Sequence, residues 1–122
     1  MASSTIKTYR DLEVWKQSME LAVEIYDTIK ILPANELFAL TSQMRRAATS
    51  IPSNIAEGHS RKGKKELAHH TSIARGSLAE LETQLILCTR LKYIDREKLK
   101  PVWNRSQRVG RLLTGLIKSL RP

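Results

Sequence analysis

The stretch from Gln43 to Gly58, QMRRAATSIPSNIAEG, does most to limit what this chain can fold into. It carries two helical patterns at once. Leu37, Leu40, Met44, Ala47, Ile51 and Ile55 recur at steps of 3, 4, 3, 4 and 4, one apolar side chain per turn on a single face. Gln43, Arg46, Ser50, Asn54 and Glu57 recur at steps of 3, 4, 4 and 3 on a neighbouring face. Surface helices usually carry Lys and Glu at such positions. Ser and Asn there point to a packed polar seam. Pro52 removes a backbone donor, so a bend near Ala48 is expected. Gly58 fits as a helix stop.

The rest of the chain repeats the helical period. A first helix is expected from Asp11 as N-cap, burying Leu12, Trp15, Met19, Ala22, Ile25, Ile29 and Leu32, with Val23 and Tyr26 widening the stripe. Leu32-Pro33 ends it, because the residue before proline disfavours helical geometry. Asn35 is the expected cap of the second helix. A third runs from Lys64 to Lys92 on Leu67, Ala74, Leu78, Leu81, Leu85, Cys88 and Leu91, with its own polar seam of Ser77, Glu80 and Gln84. Gly76 in mid-helix costs about 1 kcal/mol relative to alanine, so another helix is expected to approach closely there. Tyr93 and Ile94 make the next turn. Asp95 caps a fourth helix that buries Leu99, Val102, Ser106, Val109, Leu113, Leu116, Ile117 and Leu120. No segment alternates with period two. Four helices on short links give an all-α, up-down-up-down antiparallel four-helix bundle. Residues 11–122 form this one domain, after a loose segment over residues 1–10.

Composition narrows the function. There is no run of about 18 apolar residues and no secretory signal, so neither membrane span nor export is expected and the chain reads as cytoplasmic. The single Cys88 excludes an internal disulfide framework and reads as a small buried hydrophobe. The net charge of +9 is unevenly placed: residues 1–58 sum to −1, residues 59–94 to +4 and residues 95–122 to +6. This asymmetry points to a polyanionic partner, foremost nucleic acid, RNA or DNA. The candidate phosphate contacts are Arg61, Lys62, Lys64 and Lys65 in the link between helices two and three, and Arg105, Arg108 and Arg111, a ridge on helix four. The alternative is a protein-interaction scaffold with an acidic partner. Its possible anchors are Tyr9, Trp15 and Trp103, with core packing favoured for Trp15.

Reaction chemistry is not visible. Glu66-x-x-His69 is half of a di-iron bundle motif without a second copy, and His69 and His70 diverge by about 100° on a helix. RKGKKE lacks the spacing of a phosphate-binding loop. Glu80 and Glu82 do not share a face, so a nuclease-like magnesium site is not formed. No catalytic activity, metal or cofactor is expected.

QMRRAATSIPSNIAEG together with ARGSLAELETQL at residues 74–85 resembles the four-helix-bundle family of bacterial large-subunit ribosomal RNA intervening-sequence proteins. The resemblance extends from YRDLEVW through LPANELFALTSQ to LTGLIKSL. That family is similar in fold to the accessory variability proteins of diversity-generating retroelements, basic barrel-shaped pentamers that work beside a reverse transcriptase and its RNA. The resemblance implies a homopentamer and makes a reverse transcriptase a candidate partner; it implies no settled activity. It also suggests that Arg46, Ser50, Asn54 and Glu57 meet Ser77, Glu80 and Gln84 within or between subunits as a structural network. A buried Arg46 would then need Glu80 or Glu57 as its carboxylate.

Overall fold

A computed structural model describes residues 6–121. It contains α1 (Glu13–Thr28), α2 (Leu40–Ser60), α3 (Lys64–Arg90) and α4 (Arg96–Ser119), with short 3-10 turns at Tyr9–Asp11, Ile29–Ile31 and Ala34–Glu36. No strand occurs among the described residues. Each helix packs on its chain neighbour and α1 closes on α4, giving the expected four-helix bundle. Cross-helix contacts run antiparallel. Met44 meets Cys88 and Ser50 meets Ser77 between α2 and α3, and Glu82 meets Gln107 between α3 and α4. The links between α2 and α3 therefore lie at one end, beside the end of α4. Tyr93 donates to Glu36 at 2.8 Å and ties the two links at the other end.

The core is built from Leu21, Ile25, Met44, Ile51, Ile55, Leu78, Leu81, Leu85, Val109 and Leu113, all essentially inaccessible. Ser18, Thr71 and Ser106 are buried among them. Each hydroxyl donates to a carbonyl of its own helix, so the polar atoms are satisfied without a partner across the core. Cys88 is buried as expected, 3.8 Å from the Met44 sulfur.

The start of the chain departs from expectation. Part of the loose segment, residues 1–5, lies outside the described residues. Thr8 and Asp11 form a capping box around the turn Tyr9–Asp11, so Asp11 closes this turn and α1 begins two residues later. In α1 the buried face is Val14, Ser18, Leu21, Ala22 and Ile25. Met19, Val23 and Tyr26 are exposed instead of buried, at 40%, 62% and 44%. One residue turns a helix by about 100°, and α1 has apolar residues on two adjacent faces; the bundle takes the Val14–Leu21–Ile25 face.

Asn35 does not cap α2. It sits in the 3-10 turn Ala34–Glu36, and the Glu36 carboxylate reaches the Leu40 N–H at 3.4 Å. Leu37 and Phe38 consequently lie outside the core. Pro52 is buried inside α2, which continues through it to Ser60. Gly58 is not a stop. It is buried within α2, where α3 crosses so closely that an added Cβ would stand 2.8 Å from the His70 Cβ. Gly76, by contrast, has nothing within 4 Å, so the close approach expected there is made at Gly58. α3 ends in a Schellman motif: Tyr93 N–H reaches the Cys88 carbonyl and Lys92 N–H the Thr89 carbonyl. Lys92 takes the left-handed position at φ 61° that glycine normally fills. Asp95 precedes α4 as expected, and Leu99, Val102, Ser106, Val109 and Leu113 form its buried stripe.

Candidate nucleic-acid interface

The basic link lies at one end of the bundle. Arg61, Lys62, Lys64 and Lys65 are all exposed, but they are not equivalent. Arg61 Nη2 donates to Glu57 Oε2 at 2.8 Å. This hydrogen bond, followed by the charge of His70, holds the Glu57 carboxyl below its ordinary value, and the same hydrogen bond with the Glu57 charge raises Arg61. Arg61 is thus already paired. Among the described residues, Lys62, Lys64 and Lys65 have no carboxylate oxygen within 4.0 Å. Lys62 adopts the left-handed conformation, φ 57°, that leads the chain out of α2. Lys64 and Lys65 open α3. Cations there oppose the helix dipole, and an anion would relieve both them and the unpaired N–H groups of the first turn.

Beneath the link, the two polar seams meet inside one chain. Ser50 and Ser77 hydroxyls are 2.8 Å apart. Asn54 Nδ2 donates to the Ser50 carbonyl at 2.9 Å, which turns Oδ1 toward His70 Nδ1 at 3.1 Å. Nδ1 therefore carries the proton, and Nε2 faces Glu57 at 4.0 Å. His70 is the member that the spacing of the seam did not reveal, because it lies on α3 among residues read only as metal candidates. Arg46 and Glu80 fall outside the network. Both are exposed, so Arg46 stands in water and needs no buried carboxylate. Gln43 is exposed as well. Gln84 is buried, and its Oε1 has no partner among the described residues.

The arginine ridge on α4 divides. Three residues advance a helix by about 300°, so each step turns the ridge back by about 60°. Arg105 faces α1, where Nε donates to Glu24 and Nη1 to Gln17, both at 2.7 Å. Arg108 lies 3.6 Å from Glu13. Only Arg111 reaches the α3 side. There it borders a hollow of about 490 Å³ together with Arg75 and Lys118, two cations that sequence reasoning did not single out. Arg105 is consequently a clasp between helices, with Nε and Nη1 both engaged on α1.

A second hollow, about 780 Å³, lies between α1 and α2 and is lined by Trp15, Met19, Val23 and Tyr26 facing Pro52 and Ala56. Tyr9 packs edge-on against Trp15 with ring centroids 5.4 Å apart. Trp15 and Trp103 are both half-buried against the core. His69 and His70 belong to no group of three or more metal-ligating side chains among the described residues. Burial pushes the Cys88 thiol up to about 11, away from nucleophilic use. Among the described residues no helix is long and apolar enough to cross a membrane.

A helical bundle with a basic end and a half-buried polar seam is the class these features define. The chain belongs to the family of 23S rRNA-intervening sequence proteins, whose family model matches residues 10–115. A solved structure from Bacteroides thetaiotaomicron, described as a protein of unknown function from the S23 ribosomal protein family, is similar over 86% of this chain and 95% of its own. It shares 32% identity with a TM-score of 0.79. No curated protein matches the sequence.

Proposed function

We propose that the protein is a non-catalytic nucleic-acid-binding bundle that contacts phosphates, with RNA the first partner to test. The observation that carries this reading is the state of Lys62, Lys64 and Lys65: exposed and unpaired among the described residues, with Lys62 in a left-handed backbone conformation that strains any side chain and Lys64 and Lys65 in the first turn of α3, where the helix dipole disfavours a cation. Charge retained against local stability is expected where it meets an external anion. The name of the family adds RNA to the chemistry.

The exposed apolar face of α1 supports assembly. Met19, Val23 and Tyr26 extend the surface of the bundle where water would otherwise stand, and a second copy of the chain is the natural cover. A homopentamer, as the family resemblance implies, would repeat the basic end five times. A weak phosphate contact then gains strength by avidity.

Anisotropy of labelled structured RNA and of duplex DNA, titrated with protein across a salt series with the solution mass recorded, tests the proposal. The expected result is binding by an oligomer whose log affinity falls linearly with log salt. No binding at low salt overturns it. The second reading, a scaffold for an acidic protein or a reverse transcriptase, draws on the same α1 face. It predicts flat titrations and a co-purifying protein.

A further inference from the structure

We infer that the groove between α3 and α4 is the seat of one sugar–phosphate strand, read through its backbone and not its bases. The inference rests on the nucleic-acid reading above and assigns it a path. The groove encloses about 490 Å³. Its cations come from both walls, Arg75 from α3 and Arg111 and Lys118 from α4. All three are exposed, and none has a carboxylate oxygen within 4.0 Å among the described residues.

The two ends of the groove differ. At one end Gln107 Nε2 donates to Glu82 Oε2 at 2.6 Å, and this bridge places a carboxylate across the groove. A phosphate is repelled there. The antiparallel register that sets Glu82 beside Gln107 puts Lys118 level with Thr71, toward the lysine link. The groove therefore opens on the basic end and closes at Glu82. Arg111 and Lys118 are seven residues apart, about 10 Å along the axis at 1.5 Å per residue. The width comes from small residues. Gly115 has nothing within 4 Å of an added Cβ, so the groove stays open there. No aromatic residue lines it among the described residues, which leaves no platform for base stacking.

The test compares four variants of the full chain with wild type, using a labelled single-stranded RNA of mixed sequence across a salt series. The groove set is Arg75→Gln, Arg111→Gln and Lys118→Gln. The link set is Lys62→Gln, Lys64→Gln and Lys65→Gln. A control set, Arg96→Gln, Lys98→Gln and Lys100→Gln, removes the same charge at the opposite end of the bundle. Gly115→Leu fills the groove without changing charge, and circular dichroism checks that each variant folds. The expected result is that the groove set lowers the salt slope by about 2, near 0.7 per lost contact on a single strand. Gly115→Leu weakens binding too, and the control set changes little. If the groove set binds as wild type while the link set does not, the groove is wrong and the nucleic-acid reading stands. Equal losses in the groove and control sets, or full binding by Gly115→Leu, overturn a built seat in favour of diffuse charge. Wild-type protein that fails to bind at low salt removes both readings.

Discussion

Gly58 on α2 lies against His70 on α3, with 2.8 Å between the position of an added Cβ and the His70 Cβ and 3.2 Å to the Leu67 Cα. Neither neighbour is the flexible tip of a side chain. Gly58→Ala must push the helices apart, and overpacking of this kind costs about 1–3 kcal/mol. The gain in helix propensity returns about 1 kcal/mol. Urea unfolding should show a net loss. Gly76→Ala, on the open side of α3, should instead gain about 0.5–1 kcal/mol. Equal effects at the two glycines would contradict the packing described.

Glu57 links the basic turn to the seam. Its carboxyl is held low by the Arg61 hydrogen bond first and His70 second. A group with a lowered folded pKa adds stability above its unfolded pKa, and that part is lost as pH falls through the folded value. Glu57→Gln should therefore be less stable than wild type at neutral pH and converge with it in acid. Thermal melts from neutral pH down through the carboxylate range measure this. Divergence that grows toward acid would reverse the assigned sign.

Arg105 and Arg111 should separate cleanly. Arg105 binds Glu24 and Gln17 at 2.7 Å each, with about one-third of its side chain exposed. Hydrogen bonds to charged groups contribute about 1.5–3 kcal/mol, and solvent screening reduces that here to about 1 kcal/mol. Arg105→Met should lower the unfolding midpoint and leave RNA affinity nearly unchanged. Arg111→Gln should do the opposite. An Arg105 variant that folds at wild-type stability and loses RNA binding would restore the ridge as an interface.

These contrasts mark what sequence can carry. α4 was legible because its apolar residues, Leu99, Val102, Val109 and Leu113, occupy one face with charge around the rest. α1 was legible as a helix and in the latter part of its stripe, where Ala22, Ile25, Ile29 and Leu32 are buried as expected. Nearer its start the core takes Val14, Ser18 and Leu21 while Met19 and Val23 are exposed, because periodicity alone does not rank two adjacent apolar faces. The end of α2 was misread because Gly58 serves close packing and Lys62 stands where a stop glycine is expected, whereas the end of α3 was read within two residues. Ser50, Asn54, Glu57 and Ser77 of the seam followed from spacing, and His70 did not. The charged candidates did not sort themselves, since the partners of Arg105 lie 81 and 88 residues away in the chain. A sequence shows that a cation exists; only the fold shows which carboxylate already holds it.

The unpartnered face of α1 yields the last prediction. Val23 is 62% exposed and lines the α1–α2 hollow with Met19 and Tyr26. It contributes nothing to the core, so Val23→Glu should leave helix content and the monomer fold intact. Burying Val at a subunit seam is worth about 1.5–3 kcal/mol, and a carboxylate there adds a desolvation cost. In a ring every seam carries the same change, so the assembly loses that amount once per interface. Light scattering should report an oligomer for wild type and a mass near 13.9 kDa for Val23→Glu. RNA affinity should fall with the mass, because separated copies lose avidity while keeping their basic ends. A variant that remains oligomeric places the seam elsewhere on the bundle. If wild type itself runs as a single chain, the exposed face of α1 awaits a different protein.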